Sequence, residues 1–176
     1  PLPSSGDIST IGGMIANDAS GMQTVKYGEI ADWVLKLEAV LADGSVITAG
    51  SKAVKTSSGY NLKEVLIGSE GTLGVVTRAT LELEGRPQQI RGGRSIFPTL
   101  DDAAEAVMDA IQSGVDVAKI ELVDDVSAEI AADYADDDAD LPADPMVFLE
   151  FHANHGIEEE IDYCRSIFEG HDVERF

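Results

Sequence analysis

Hydrophobic and polar positions follow two different periods along this chain. Thr10 is placed to cap a helix over Ile11 to Ala19, with Gly12 and Gly13 in its first turn. Val34 to Ala42 is an apolar run broken by Lys36 and Glu38. Asp43-Gly44 then signals a hairpin, and Val46 to Ala49 returns. Residues 50–60 (GSKAVKTSSGY) are small and polar and read as a loop. Asn61 with Glu64 three residues on predicts a helix start for Leu62 to Ile67. Val75 to Leu83 alternates with period two: Val75, Thr77, Ala79, Leu81 and Leu83 on one side, Val76, Arg78, Thr80, Glu82 and Glu84 on the other. That pattern predicts a half-buried strand of an antiparallel sheet.

The stretch Gly85 to Gly93 (GRPQQIRGG) separates two regions of different pattern and is the expected domain boundary. Beyond it, Ser95 to Phe97 ends a strand. Thr99, with Asp102 at the capping-box position, opens a helix whose apolar stripe reads Leu100, Ala103, Ala104, Val107, Met108 and Ile111, closed by Gly114. Val117 to Val123 is a strand, and Val126, Ile130 and Tyr134 mark a helix. Asp136 to Asp140 is an acidic loop, closed by Pro142 and Pro145. Met146 to His152 is a strand, Ile157 to Phe168 a helix with Ile161, Cys164 and Phe168 inward, and Val173 to Phe176 starts another strand. The order is β-α-β-α-β-α-β, an α+β arrangement of an antiparallel sheet with helices on one side.

Composition narrows the classes of function. The 176 residues carry 33 acidic and 12 basic side chains, a net charge of −21, which argues against nucleic-acid partners. Acid is spread along the whole chain, the pattern of a protein kept hydrated at high salt, and a halophilic source is expected. The sequence has no apolar run long enough to cross a bilayer. One cysteine, Cys164, excludes an intrachain disulfide and fits the reducing cytoplasm. The opening PLPSSGDIS reads as a loop without an initiator Met, and the chain is expected to be a fragment of a longer protein.

Two glycine-rich stretches carry the candidate chemistry. In Ser9 to Gly28 (STIGGMIANDASGMQTVKYG), Gly12, Gly13 and Gly21 leave the backbone bare, and the capped helix start would aim N–H groups at a phosphate or a polarised ring carbonyl. Gly68 to Gly74 (GSEGTLG) leads straight into a strand. It matches neither a dinucleotide fingerprint nor a Walker loop, since no helix follows it and no Gly-Lys-Ser/Thr ends it. Two such stretches suit one ligand held from two sides; the same residues also suit a pair of tight turns. His152 and His155 lack a third metal ligand and read as surface or loop residues, His171 as exposed, and Cys164 as a packed thiol. No metal site is expected. Lys55 fits either an anion partner or a loop cap.

STIGGMIANDASGMQTVKYG, the following DWVLKLEAVLADGSVITAG, SSGYNL at residues 57–62 and GSEGTLGVVT together resemble the FAD-linked oxidases and dehydrogenases of the vanillyl-alcohol-oxidase (PCMH) type. KIELVDDV and MVFLEFHANH extend the resemblance toward its D-lactate dehydrogenase and glycolate oxidase flavin-subunit branch. The resemblance implies that residues 1–85 are the second half of the FAD-binding domain and residues 90–176 the start of an antiparallel-sheet cap domain. It implies that Ser4, Ser5, Ser9, Thr10, Ile11, Gly12 and Gly13 line the flavin. Asn17, Asp18, Ala19, Ser20 and Gly21 would follow its ribityl-diphosphate chain, and Glu70, Gly71, Thr72, Leu73, Gly74, Val75 and Val76 its adenosine end. Glu121, on a cap strand that faces the flavin in this family, is the candidate catalytic residue.

The implied activity is oxidation of a small 2-hydroxy acid to the 2-keto acid, with an electron acceptor reoxidising FAD. The family's first FAD-binding half and its histidine-bearing C-terminal segment are absent from this sequence, so the chain alone is expected to be inactive. A contrasting expectation is a folded module that binds no flavin and works only by association, including as a homo-oligomer, through apolar faces left uncovered.

Overall fold

Two three-stranded antiparallel sheets frame the computed structural model, which describes residues 3–134 and 142–176. The Asp136–Asp140 acidic loop lies outside the described residues. Contacts cluster into two units, Pro1–Gly85 and Arg86–Phe176.

The first unit begins with three short helices: α1 (Ile11–Ala16), α2 (Thr24–Tyr27) and α3 (Ile30–Trp33). Strands β1 (Val34–Val40) and β2 (Val46–Gly50) form the expected hairpin. After α4 (Leu62–Leu66), β3 (Val75–Leu81) pairs with the other edge of β1, giving the order β2-β1-β3. Ile15, Ile30, Val34, Leu37, Ala39, Ala49, Leu66 and Ile67 form the core. Gly50 is required where it stands: its φ is +81°, and a Cβ there would lie 2.3 Å from the Leu35 carbonyl oxygen.

Three local expectations change in this unit. The helix from Ile11 stops at Ala16 rather than Ala19, because Asp18 takes a positive φ of 49° and turns the chain. Asn61 precedes α4 without capping it; its Nδ2 donates to Glu64 Oε1 instead of its oxygen serving the helix amides. Strand β3 does not keep one apolar face. Its pairing with β1 shifts between Glu38↔Arg78 and Ala39↔Val76, leaving Thr77 as the extra residue of a bulge. Alternation therefore changes phase: Val76, Ala79 and Leu81 pack on the core, whereas Val75 and Leu83 are exposed.

The second unit contains β4 (Gln89–Ile96), α5 (Leu100–Gln112), β5 (Val117–Val123), α6 (Asp125–Tyr134), β6 (Met146–Ala153) and α7 (Ile157–Phe168), with sheet order β4-β6-β5. Strand β4 begins inside the stretch read as a linker and includes Gly92 and Gly93. Thr99 caps α5 as expected, its Oγ1 accepting from the Asp102 amide at 3.1 Å. The buried stripe of α5 is Ala103, Ala106 and Ala110, not the larger residues, since Leu100, Met108 and Ile111 stay exposed. Small side chains let this helix approach the layer of Phe97, Val147, Leu149, Phe151, Cys164 and Phe168 closely. On α6, only Ala128 is buried; Val126, Ile130 and Tyr134 face outward. The closing strand amounts to a single bridge, Ile96↔Arg175.

Candidate functional site

The two glycine-rich stretches meet. The Gly68 amide donates to the Ile15 carbonyl at 3.1 Å, and the Glu70 amide to the Ala16 carbonyl at 2.8 Å. The end of α1 is thereby fastened to the start of GSEGTLG. Gly68 has φ +72°, and a Cβ there would come within 3.3 Å of Asp18 Cβ, so the joint is tight on both sides. Asp18 and Glu70 both hold the left-handed region without being glycine, a conformation kept only where surrounding contacts enforce it. For Asp18 the contact is explicit: its Oδ1 accepts from the Ala31 amide at 3.0 Å. The Ile30 amide donates to the Ala19 carbonyl beside it.

The rest of the first stretch forms an exposed ledge. Ser5 and Ser9 bond to each other through their hydroxyls at 3.0 Å. Ser4, Thr10, Ile11, Gly12, Gly13, Asn17 and Ser20 are exposed, and Ala19 is buried beneath them. Thr10 Oγ1 accepts from Gly13 at 3.0 Å, and the Thr10 carbonyl takes the Met14 amide. One amide expected to point at a ligand is therefore used by the cap. Gly21 is held by Thr24: its amide donates to Thr24 Oγ1, and its carbonyl accepts from that hydroxyl. In the second stretch Glu70, Gly71, Thr72, Leu73 and Val75 are exposed, Gly74 and Val76 less so. A Cβ at Gly74 would press on the Val40 carbonyl oxygen at 3.0 Å, so this glycine serves the sheet.

An FAD molecule needs bare backbone, small side chains and some apolar surface for its ring. The ledge meets these needs: a Cβ on Gly12 or Gly71 would enter open space, and Ile11 and Leu73 are about half exposed beside them. The residues present fit the cofactor.

The second unit adds a charged face that the sequence reading underrated. Val147, Leu149 and Phe151 of β6 enter the core, so Phe148, Glu150 and His152 occupy the opposite face. There Lys119 Nζ lies 3.3 Å from Glu150 Oε2, and His152 Nε2 lies 2.8 Å from Glu150 Oε1. His152 is 8% exposed, which corrects its reading as a surface or loop residue. The signal was the alternation in FLEFH, which puts Glu150 and His152 on one face. Glu121 is half-buried opposite Phe148, in step with Lys119 opposite Glu150. His155 is exposed. His171 is not: it is partly buried, its Nε2 2.9 Å from Asp109 Oδ2. Cys164 is fully buried, and burial, with the Glu160 carboxylate second, pushes its thiol up to about 12.

Comparison with known proteins agrees with this architecture. The C-terminal domain of FAD linked oxidases matches residues 86–176, and an FAD binding domain matches residues 1–50. The chain belongs to the FAD-linked oxidase family, whose cofactor is FAD. It is 39% identical over 159 residues to a probable mitochondrial D-lactate dehydrogenase of Danio rerio, covering 88% of this chain and 32% of that protein. It is 40% identical over 135 residues to the glycolate oxidase subunit GlcD of Bacillus subtilis, covering 77% and 29%. A D-lactate dehydrogenase of Archaeoglobus fulgidus is 42% identical over 124 residues, covering 70% and 28%. The chain thus spans about a third of the length of these relatives. An alkyldihydroxyacetonephosphate synthase structure shares the fold at TM-score 0.82 and 22% identity, covering 99% of this chain and 35% of that one. Among the described residues, no helix is long and apolar enough to cross a membrane.

Proposed function

We propose that this chain is the flavin-cradling and cap-forming part of an FAD-dependent dehydrogenase that oxidises a D-2-hydroxy acid, D-lactate or glycolate in type, to the 2-keto acid. The observation that carries this reading is the pair of backbone bonds, Gly68 to Ile15 and Glu70 to Ala16, which makes one ledge of two glycine-rich stretches. Residues 1–85 serve as the second half of the FAD-binding domain and residues 90–176 as the start of the cap.

FAD, when bound, supplies the two-electron acceptor, and a separate electron acceptor restores it. The chain's own residues bind and orient. The segment Ser4–Gly13 offers hydroxyls and bare backbone to the ring, and Asn17–Gly21 lies along the diphosphate chain. Glu70–Val76 holds the adenosine end. Asp18 acts through Ala31, fixing the turn inside the second of these segments, and is a positioning residue. Glu121, half-buried on β5, is the candidate to meet the substrate, and the Lys119–Glu150–His152 cluster fixes charge on the same face. Support for the substrate class comes from the D-lactate dehydrogenases and glycolate oxidase subunit described above. The uniform acidity supports a halophilic source, and the free, buried Cys164 supports the cytoplasm.

The test is the visible absorption of the purified chain after FAD addition and desalting in molar KCl. A retained flavin band that is lost in Gly68→Val supports the reading. A colourless protein overturns the cradle. For the reaction, anaerobic D-lactate or glycolate should bleach the flavin of a full-length protein containing this chain, and L-lactate should not.

A further inference from the structure

We propose that His171 is a pH-sensitive clasp that fastens the turn ending α7 to the outer side of α5. The turn Glu169–His171 follows α7 directly and packs against α5. His171 sets each ring nitrogen against a carboxylate of that helix. Its Nε2 lies 2.9 Å from Asp109 Oδ2, and its Nδ1 lies 3.8 Å from Glu105 Oε2. A carboxylate only accepts hydrogen bonds, and a neutral imidazole has a single N–H to give. The ring that serves both sides is the imidazolium, which carries a proton on each nitrogen.

Glu105 and Asp109 stand four residues apart on α5, a spacing at which like charges repel across one turn. The imidazolium lies against both and offsets that repulsion. A neutral ring leaves the repulsion in place and turns one lone pair toward a carboxylate. The other charges nearby favour the charged ring. Helix α5 contains no lysine or arginine, and the one cation of α7, Arg165, is held by Asp162 at 2.7 Å. The turn itself adds Glu169, and Asp172 follows it.

The position of the ring gives its charge a mechanical effect. Only 18% of the His171 side chain is exposed, against 65% for Glu105 and 55% for Asp109, so the imidazole sits in the joint and the carboxylates reach it from the solvent side. Phe168, the last residue of α7, anchors the chain in the core. His171, three residues on, is a second attachment of the same segment. Histidine changes charge between about pH 5 and pH 8. The clasp is therefore closed at the acid end of that range and loosens as pH rises through it.

The test is amide hydrogen exchange of the 176-residue chain at about pH 6 and about pH 8, corrected for the intrinsic pH dependence of exchange and read on peptides covering α5 and residues 157–172. Protection of these peptides should be about fivefold higher at the lower pH, the scale of an ion pair of this exposure. His171→Gln, which can donate a hydrogen bond but carries no charge, should lose the difference. Asp109→Asn should shrink it. His155→Gln, which removes an exposed histidine, should keep it. Equal protection at the two pH values in the unaltered chain, or a difference that survives intact in His171→Gln, overturns the proposal. Should His171→Gln fail to fold, Asp109→Asn decides from the α5 side, and an undiminished difference there overturns it equally.

Discussion

Asp18 does two separable things, and three substitutions separate them. It occupies the left-handed region at φ 49°, and its carboxylate accepts the Ala31 amide at 3.0 Å. Alanine loses both: a hydrogen bond to a charged group is worth about 1.5–3 kcal/mol, and the left-handed conformation costs an alanine about 1–2 kcal/mol. The expected loss for Asp18→Ala is about 2.5–5 kcal/mol. Glycine loses the bond but not the conformation, so Asp18→Gly should cost about 2 kcal/mol. Asparagine keeps an acceptor oxygen and tolerates the conformation, so Asp18→Asn should cost about 1 kcal/mol. The assay is urea unfolding followed by tryptophan fluorescence. Trp33 is the sole tryptophan and lies in the first unit, with its indole N–H donated to the Tyr27 carbonyl at 2.6 Å. Alanine and glycine variants of equal stability would refute the conformational term. An asparagine variant as weak as alanine would refute the hydrogen-bond term.

Phe168→Ala should destabilise the second unit by about 3–5 kcal/mol, because this fully buried ring packs edge-on against Phe97 at 5.4 Å and Phe176 at 5.6 Å; urea unfolding read by circular dichroism checks it. Cys164 keeps its proton in the folded chain up to about 12, whereas the unfolded thiol releases it near its ordinary value of 9.0. The folded state therefore binds the extra proton between these values, and stability should fall as pH rises through that window. A disulfide reagent at pH 8 should label this thiol only after denaturant is added. Molar KCl should raise Tm, since a net charge of −21 repels itself and about 1 M salt screens beyond about 3 Å; a salt-independent Tm would contradict the halophilic reading.

Features set by short-range chemistry were legible in the sequence. Thr99 with Asp102, and Thr10 before the glycines, announce their caps through side chains that reach three residues on. Asp43-Gly44 announces the β1–β2 hairpin. What escaped depends on pairing between distant segments. The extra residue Thr77 reverses the faces of β3 only because β1 fixes the register opposite it. The three alanines of α5 outrank its leucine and methionine because of what lies beneath them. His152 reads as a surface or loop residue within HANH, and its burial comes with its place in β6 opposite Ile90 of β4, on the face away from the core. At the candidate site the glycine positions were visible from their spacing, whereas the duty of Asp18 toward Ala31 was not, since thirteen residues separate them.

The bonds joining Ile15 to Gly68 and Ala16 to Glu70 close a loop that contains α2, α3, the whole β1–β2 hairpin and α4. Such a closure costs entropy before any of its contacts form, and long-range contacts form late. The ledge cannot then exist as a local motif in a nascent or partly unfolded chain. Acquisition of flavin colour should lag the recovery of tryptophan fluorescence during refolding, and bound flavin should act as a clasp that slows unfolding of the first unit as a whole.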